Sequence, residues 1–249
     1  MKILIENMDI KQISKDYNIS KNNIILSIHE YNKRILSKHS GELRMENFVN
    51  SREIEYILHF TRLVNLDSIL SNGLIPIDEL ERMGINSEIN DEYRYDNCKN
   101  ALCCSIGHPN YKMFYSLRMN NPDVEWCVIG IKKDILWNKD CAFCVENAAS
   151  NSVTSIPIHQ RKGLQAFMKL FDEIENKPTR NTLDIPSYCP TNPQAEILVF
   201  DKINSNDILG VVFQSQQRVD EYTRRYNKNN FFHYHKAFFG PRKDYEHWS

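Results

Sequence analysis

Residues 54–74 read IEYILHFTRLVNLDSILSNGL, and this stretch sets the fold class. Tyr56-Ile57-Leu58-His59-Phe60 is a short run of aromatic and branched apolar residues that predicts a strand. Asn65 to Ser71 predicts a short helix, which Asn72-Gly73 ends because Gly supplies a left-handed cap. A strand running directly into a short helix recurs along the chain. Ala101–Ile106, Trp126–Ile131, Ala195–Phe200 and Ile208–Phe213 read as strands. Met113–Met119 and Leu164–Phe171 read as helices. Residues 77–100 and Ser150–Pro157 read as loop, the former with a helical turn. Short strands mixed with short helices and long loops predict an α+β domain.

The N-terminal stretch differs. Ile10, Ile13 and Tyr17, then Ile24, Ile25, Ile28, Tyr31 and Ile35, recur at helical spacing. Asn18-Ile19-Ser20 interrupts them, and Ser20 can cap the second segment. Residues 1–50 are thus expected to form a helical hairpin, either packed on its neighbour or resembling a helix-turn-helix. Eight Lys+Arg against six Asp+Glu give this segment 8 − 6 = +2, little for a reader of duplex DNA. The polar stretch SKHSGELRMEN is expected to link it to a second domain, residues 51–249.

The whole chain of 249 residues carries 31 Lys+Arg against 32 Asp+Glu, so any basic surface must be local. Its 41% hydrophobic content offsets chain entropy and excludes general disorder. No apolar run reaches the roughly 18 residues of a membrane span. The opening MKILIENMDIKQ is too short in its apolar run for a secretory signal. Seven cysteines, an odd number spread over a long chain, suggest reduced thiols and a cytoplasmic protein.

Five groups of residues could carry chemistry. His59 and Thr61 alternate onto one face of a strand, where they could hold a ribose or an amide, or His59 could be a satisfied core residue. Glu196 sits inside the apolar run AEILVF, so its carboxylate is either turned to solvent or desolvated in a cleft. Arg94, between Tyr93 and Tyr95, is either a phosphate ligand or part of a solvated charge cluster. Cys141-Ala142-Phe143-Cys144 lacks a second pair at zinc spacing and reads as core or lining thiols, so no metal is assigned. In the C-terminal third, Arg218, Arg224 and Arg225 alternate with aromatic residues. Single-stranded nucleic acid needs such a surface, and an amphipathic helix packing its rings inward would show the same pattern. P-loop, dinucleotide, nucleophile-elbow and metalloprotease-helix motifs are missing, which excludes a conventional NTPase or Rossmann enzyme.

In order, HFTRLVNLDSILSNGL, DEYRYD, PNYKMFY, ENAAS and PQAEILVF resemble the DarT family of nucleic-acid ADP-ribosyltransferases, over about residues 54–213. The resemblance implies an ADP-ribosyltransferase fold in which two small antiparallel sheets form a cleft for NAD, used as co-substrate. It makes Glu196 the catalytic carboxylate and Arg94 a second catalytic residue. It assigns His59, Thr61, Asn65, Gly73, Leu74, Tyr111 and Tyr115 to NAD, the tyrosines as stacking partners for nicotinamide. Asn147, Arg224 and Arg225 are assigned to nucleic acid, and Ser150–Pro190 to an acceptor-side wall. The implied substrate is a base of single-stranded DNA or RNA, and the implied partner an antitoxin protein; no membrane is involved. A protein or RNA-phosphate acceptor, or a non-enzymatic DNA-binding regulator, is the alternative.

Overall fold

The computed structural model describes residues 15, 17, 19–85, 87, 88 and 98–248. Its contacts divide the chain into two units, Met1–Arg44 and Met45–Ser249. Helix α1, Lys21–Ser51, opens at Ser20, whose Oγ accepts the Asn23 N–H at 3.3 Å. The first half of the expected hairpin lies outside the described residues. The stretch expected as a linker is helical over residues 37–47, and the boundary between the two units falls within it. Glu42, Leu43, Arg44, Met45 and Glu46 are strong helix formers, and Lys38 and Glu42 pair one turn apart at 3.7 Å. These local preferences outweigh Gly41, whose Cβ position is open space.

In the second unit the described residues form a seven-stranded sheet. In chain order the strands are β1 (Tyr56–Arg62), β2 (Leu102–Ile106), β3 (Trp126–Lys132), β4 (Cys141–Cys144), β5 (Glu196–Val199), β6 (Ile208–Phe213) and β7 (Phe232–Tyr234). Their spatial order is β4-β5-β2-β1-β3-β6-β7. All neighbours pair antiparallel except β6 and β7, which run parallel. The expectation of two separate antiparallel sheets is therefore corrected to one sheet with a weak seam. β1 and β2 pair only at Ile57–Ile106 and Leu58–Ser105. Beyond that point β1 follows β3 as far as Arg62, while the first half of β2 pairs with β5. The two strands part, and a cleft opens between them.

Helices α2 (Leu66–Asn72), α3 (Ile77–Met83), α4 (Tyr111–Asn120) and α5 (Gln216–Tyr226) flank the sheet, with short turns between. One face of the sheet, through Ile57, Ile129, Ile131, Ile197 and Val211, buries the main core together with Val49, Leu66, Phe167 and Tyr222. The other face packs Leu58, Val128 and Val212 on Phe114, Trp126 and Phe239. Each such side chain contributes about 1.5–3 kcal/mol on full burial. Gly73 ends α2 at φ +85° and ψ 179°, so its φ is positive but the residue is not in the left-handed helical region expected. A Cβ there would stand 2.2 Å from the Ile203 carbonyl oxygen, because Leu74 and Ile203 exchange both backbone hydrogen bonds.

The aromatic residues of α5 turn inward, as the amphipathic reading has it. Tyr222 is buried, and it and Tyr226 stack on each other and meet the Phe232 ring at a tilt. Ser150–Pro190 is no bare loop. It contains helical turns at Asn151–Thr154, Ile158–Arg161, Gly163–Met168 and Lys169–Phe171, and buries Phe167, Leu170 and Phe171. No helix among the described residues is long and apolar enough to cross a membrane.

Candidate active site

The cleft at the β1–β2 seam is a cavity of about 170 Å3. Its walls are the parted strand segments Leu58–Thr61 and Ala101–Ser105, the helix-bearing stretch from Val64 to Leu80, Met113 of α4, and Glu196 at the start of β5. Mostly apolar walls with a few convergent polar groups are what a ligand site requires.

Glu196 is 4% exposed, so its carboxylate is the desolvated one and not a solvent-facing strand residue. Oε1 accepts from Asn110 Nδ2–H at 3.0 Å, and Oε2 accepts from the Ala148 backbone N–H at 2.8 Å. Asn110 is fully buried and is itself fixed at two further points. Its backbone N–H donates to Ser105 Oγ at 3.1 Å, and its Oδ1 caps α4 by accepting the Met113 N–H at 3.3 Å. A helix cap thus doubles as the support of the buried acid.

His59 Nδ1 lies 2.8 Å from the Cys103 carbonyl oxygen. A carbonyl only accepts, so Nδ1 carries the proton and donates. This bond crosses the seam where the β1–β2 ladder has stopped. Thr61 Oγ1 accepts from Asn65 Nδ2–H at 3.2 Å and keeps its own O–H to donate.

The other assigned residues divide into those the cavity gathers and those it does not. Asn65 lines the cavity with its hydrogen-bonding capacity filled: Nδ2 also donates to the Glu88 carbonyl at 2.9 Å, while Oδ1 accepts from Ser87 Oγ at 3.2 Å and the Glu88 N–H at 3.0 Å. It clamps the 87–88 segment against the cavity wall. Gly73 and Leu74 line the cavity through a backbone fixed against Ile203. Arg94 lies outside the described residues.

The cavity does not gather Tyr111 and Tyr115. They share one face of α4, and Met113, about 200° round the helix from Tyr111, faces the cavity instead. Tyr115 is exposed, and the Tyr111 hydroxyl is buried without a hydrogen-bond partner. Burial raises the Tyr111 pKa. The ring that does line the cavity is Phe60, stacked on Phe114 at 4.5 Å.

Asn147 neighbours the site, with Nδ2 3.9 Å from Met113 Sδ and Oδ1 accepting the Ala149 N–H. Arg225 binds Asp67 at 2.6 Å, which ties it to α2, and Arg224 donates to the Asp220 carbonyl of its own helix. Cys103 and Cys104 line the cavity, while Cys141 and Cys144 are core thiols. Burial pushes the Cys141 thiol up to about 12 and Cys144 up to about 11. Sequence reasoning missed Asn110 and Ala148. Asn110 carried a signal only as a cap, and a backbone N–H carries none.

The sheet is thus parted at one seam, with an imidazole on one strand and a held carboxylate lining the same opening. The fold is similar to Thermosipho africanus DarTG in complex with ADP-ribose, at TM-score 0.52 and 18% identity, covering 74% of this chain and 51% of that one. The chain therefore spans about half the length of that protein. Thermus sp. 2.9 DarT, solved in complex with NAD+ and with ADP-ribosylated ssDNA, aligns at TM-scores of 0.46 and 0.44, each at 11% identity and covering 76% of this chain and 98% and 97% of those chains. No curated protein matches significantly. The family model described as "ssDNA thymidine ADP-ribosyltransferase, DarT" matches residues 58–236. The chain belongs to the DarT family.

Proposed function

We propose that this chain transfers ADP-ribose from NAD to a thymine base of single-stranded DNA, with Glu196 as the catalytic carboxylate. One observation carries the reading: Glu196, held at both oxygens, lines the same cavity as His59. NAD supplies a ribose carbon whose bond to nicotinamide breaks as positive charge builds, as in glycoside cleavage, and a base nitrogen takes that carbon while losing a proton. Glu196 stabilises that charge and accepts a ribose hydroxyl without reorienting, because Asn110 and Ala148 have already fixed it. His59, its ring plane set by Cys103, holds the adenosine-side ribose, and the Thr61 O–H binds the nicotinamide amide. Phe60 and the apolar walls take the flat rings.

Arg94 is retained as a second catalytic residue that steadies the pyrophosphate or helps the base lose its proton. Glu88 and Ala101, on either side of its segment, both line the cavity. The family description names single-stranded DNA, which favours that acceptor over RNA, protein or an RNA phosphate. As the resemblance to the DarT family implies, we read the protein as a toxin whose partner is an antitoxin. Residues 51–249 are the transferase domain, and residues 1–50 a docking surface for that partner.

Incubation with NAD labelled in its adenylate half and a thymine-containing oligonucleotide should label the DNA. An oligonucleotide left unlabelled, with label on protein instead, would contradict the proposal.

A further inference from the structure

A second cavity, about 180 Å3 in volume, lies at the β4 edge of the sheet and shares no lining residue with the first. Phe143, Cys144, Val153, Gln160, Arg161 and Lys169 are among its walls. Arg161 is 8% exposed. The polar contact of its guanidinium is to Cys144 Sγ, 3.6 Å from one terminal nitrogen, and its Nε–H is buried without a hydrogen-bond partner. Among the described residues no carboxylate pairs with it and no aromatic ring lies beneath it. The Cys144 thiol does not serve as counter-charge, since burial holds it protonated, with a pKa of about 11. A buried cation without an anion is costly, and an anion entering the cavity would relieve that cost. Lys169 adds a second positive charge and Gln160 an amide donor at the same cavity. An unpaired guanidinium N–H with a nearby ammonium is a combination suited to phosphate.

The position relates this cavity to the first. Cys144, on its wall, is the ladder partner of Glu196 across β4 and β5. The chain leaving β4 then supplies the Ala148 N–H that holds Glu196. We infer that the Arg161 cavity takes a phosphate group, and that in the working enzyme it is a backbone phosphate of the strand whose base is modified. The second half of this inference rests on the functional reading given above. A chain of net charge −1 must gather its contacts to DNA locally, and Arg161 contacts Cys144, the ladder partner of the proposed catalytic acid.

The test measures binding of a fluorescent single-stranded oligonucleotide at several salt concentrations, in the inactive Glu196→Gln background. Arg161→Gln is compared with Lys169→Glu, an exposed reversal at the same cavity that leaves the core intact. Each variant should weaken binding about tenfold. The salt dependence should become shallower by about 0.7 in log–log slope for the lost phosphate contact. In the active background, KM for the oligonucleotide should rise while KM for NAD stays in place. Unchanged affinity and slope in both variants would overturn the inference. Stabilisation of the wild type by inorganic phosphate, lost in Arg161→Gln while oligonucleotide affinity is equal in both, assigns the cavity to free phosphate and overturns the strand assignment. A wild type that neither binds nor modifies single-stranded DNA would fail the functional reading itself. Loss of phosphate stabilisation in Arg161→Gln would then still support the anion site.

Discussion

Glu196 has a hydrogen-bond donor at each oxygen, which constrains what can replace it. A glutamine would turn its own N–H toward either the Asn110 amide or the Ala148 N–H. Glu196→Gln should therefore lose stability, by about 1–3 kcal/mol for a buried donor left unmatched, and activity, by about 10²–10³ or more. Thermal denaturation and initial rates on the same preparation check both. Asn110→Ala removes one of the two supports without touching the acid. It should lower kcat by about tenfold with KM for NAD little changed. Equal kcat per folded molecule, with only a lower Tm, would reduce Asn110 to a helix cap. In the sequence a carboxylate inside AEILVF stood out against its neighbours but left solvent-facing and desolvated readings open, between which its burial decides. Its supports were not legible, because Asn110 stands 86 positions away and Ala148 contributes only backbone.

At the scale of elements, the strands with continuous apolar runs were readable, since burial on both faces leaves a sequence imprint. The seam between β1 and β2 was not, because pairing stops there for reasons of register and not of composition. Four-residue β4 and three-residue β7 are too short to show alternation. Helix α1 runs through a stretch whose polarity suggested a linker and whose helix propensity decides otherwise. Gly73 tests the junction of α2 with the Ile203 segment. Gly73→Ala meets both the positive φ and the 2.2 Å approach to the Ile203 oxygen, and should destabilise by about 1–3 kcal/mol. At roughly 2–4 °C per kcal/mol for a chain of this size, calorimetry resolves that drop.

Across the molecule, the C-terminal stretch is tied to the segment that leads into β5. Arg242 grips Asp244 with two hydrogen bonds at 2.6 and 2.5 Å and donates to the Pro190 and Thr191 carbonyls at 2.6 and 2.7 Å. Trp248 Nε1–H donates to the same carboxylate at 2.6 Å. Burial alone would raise the Asp244 pKa; Arg242 and Trp248 override it and hold the carboxyl below its ordinary value. A carboxyl depressed in the folded state stabilises the fold above its unfolded pKa, about 3.9, and that contribution is lost as pH falls through the folded pKa. Acid unfolding of Asp244→Asn should therefore show less pH dependence below about pH 4 than the wild type. Parallel curves would show that Asp244 does not contribute to acid stability.

In the proposed reaction the acid at the seam directs ADP-ribose onto a base of single-stranded DNA. Mass spectrometry of the nucleosides released from a thymine-containing oligonucleotide after incubation with NAD tests it most directly. The wild-type chain should yield a thymidine heavier by one ADP-ribosyl group, and Glu196→Gln none. Unmodified nucleosides from the wild type, or the same adduct from both proteins, would contradict it.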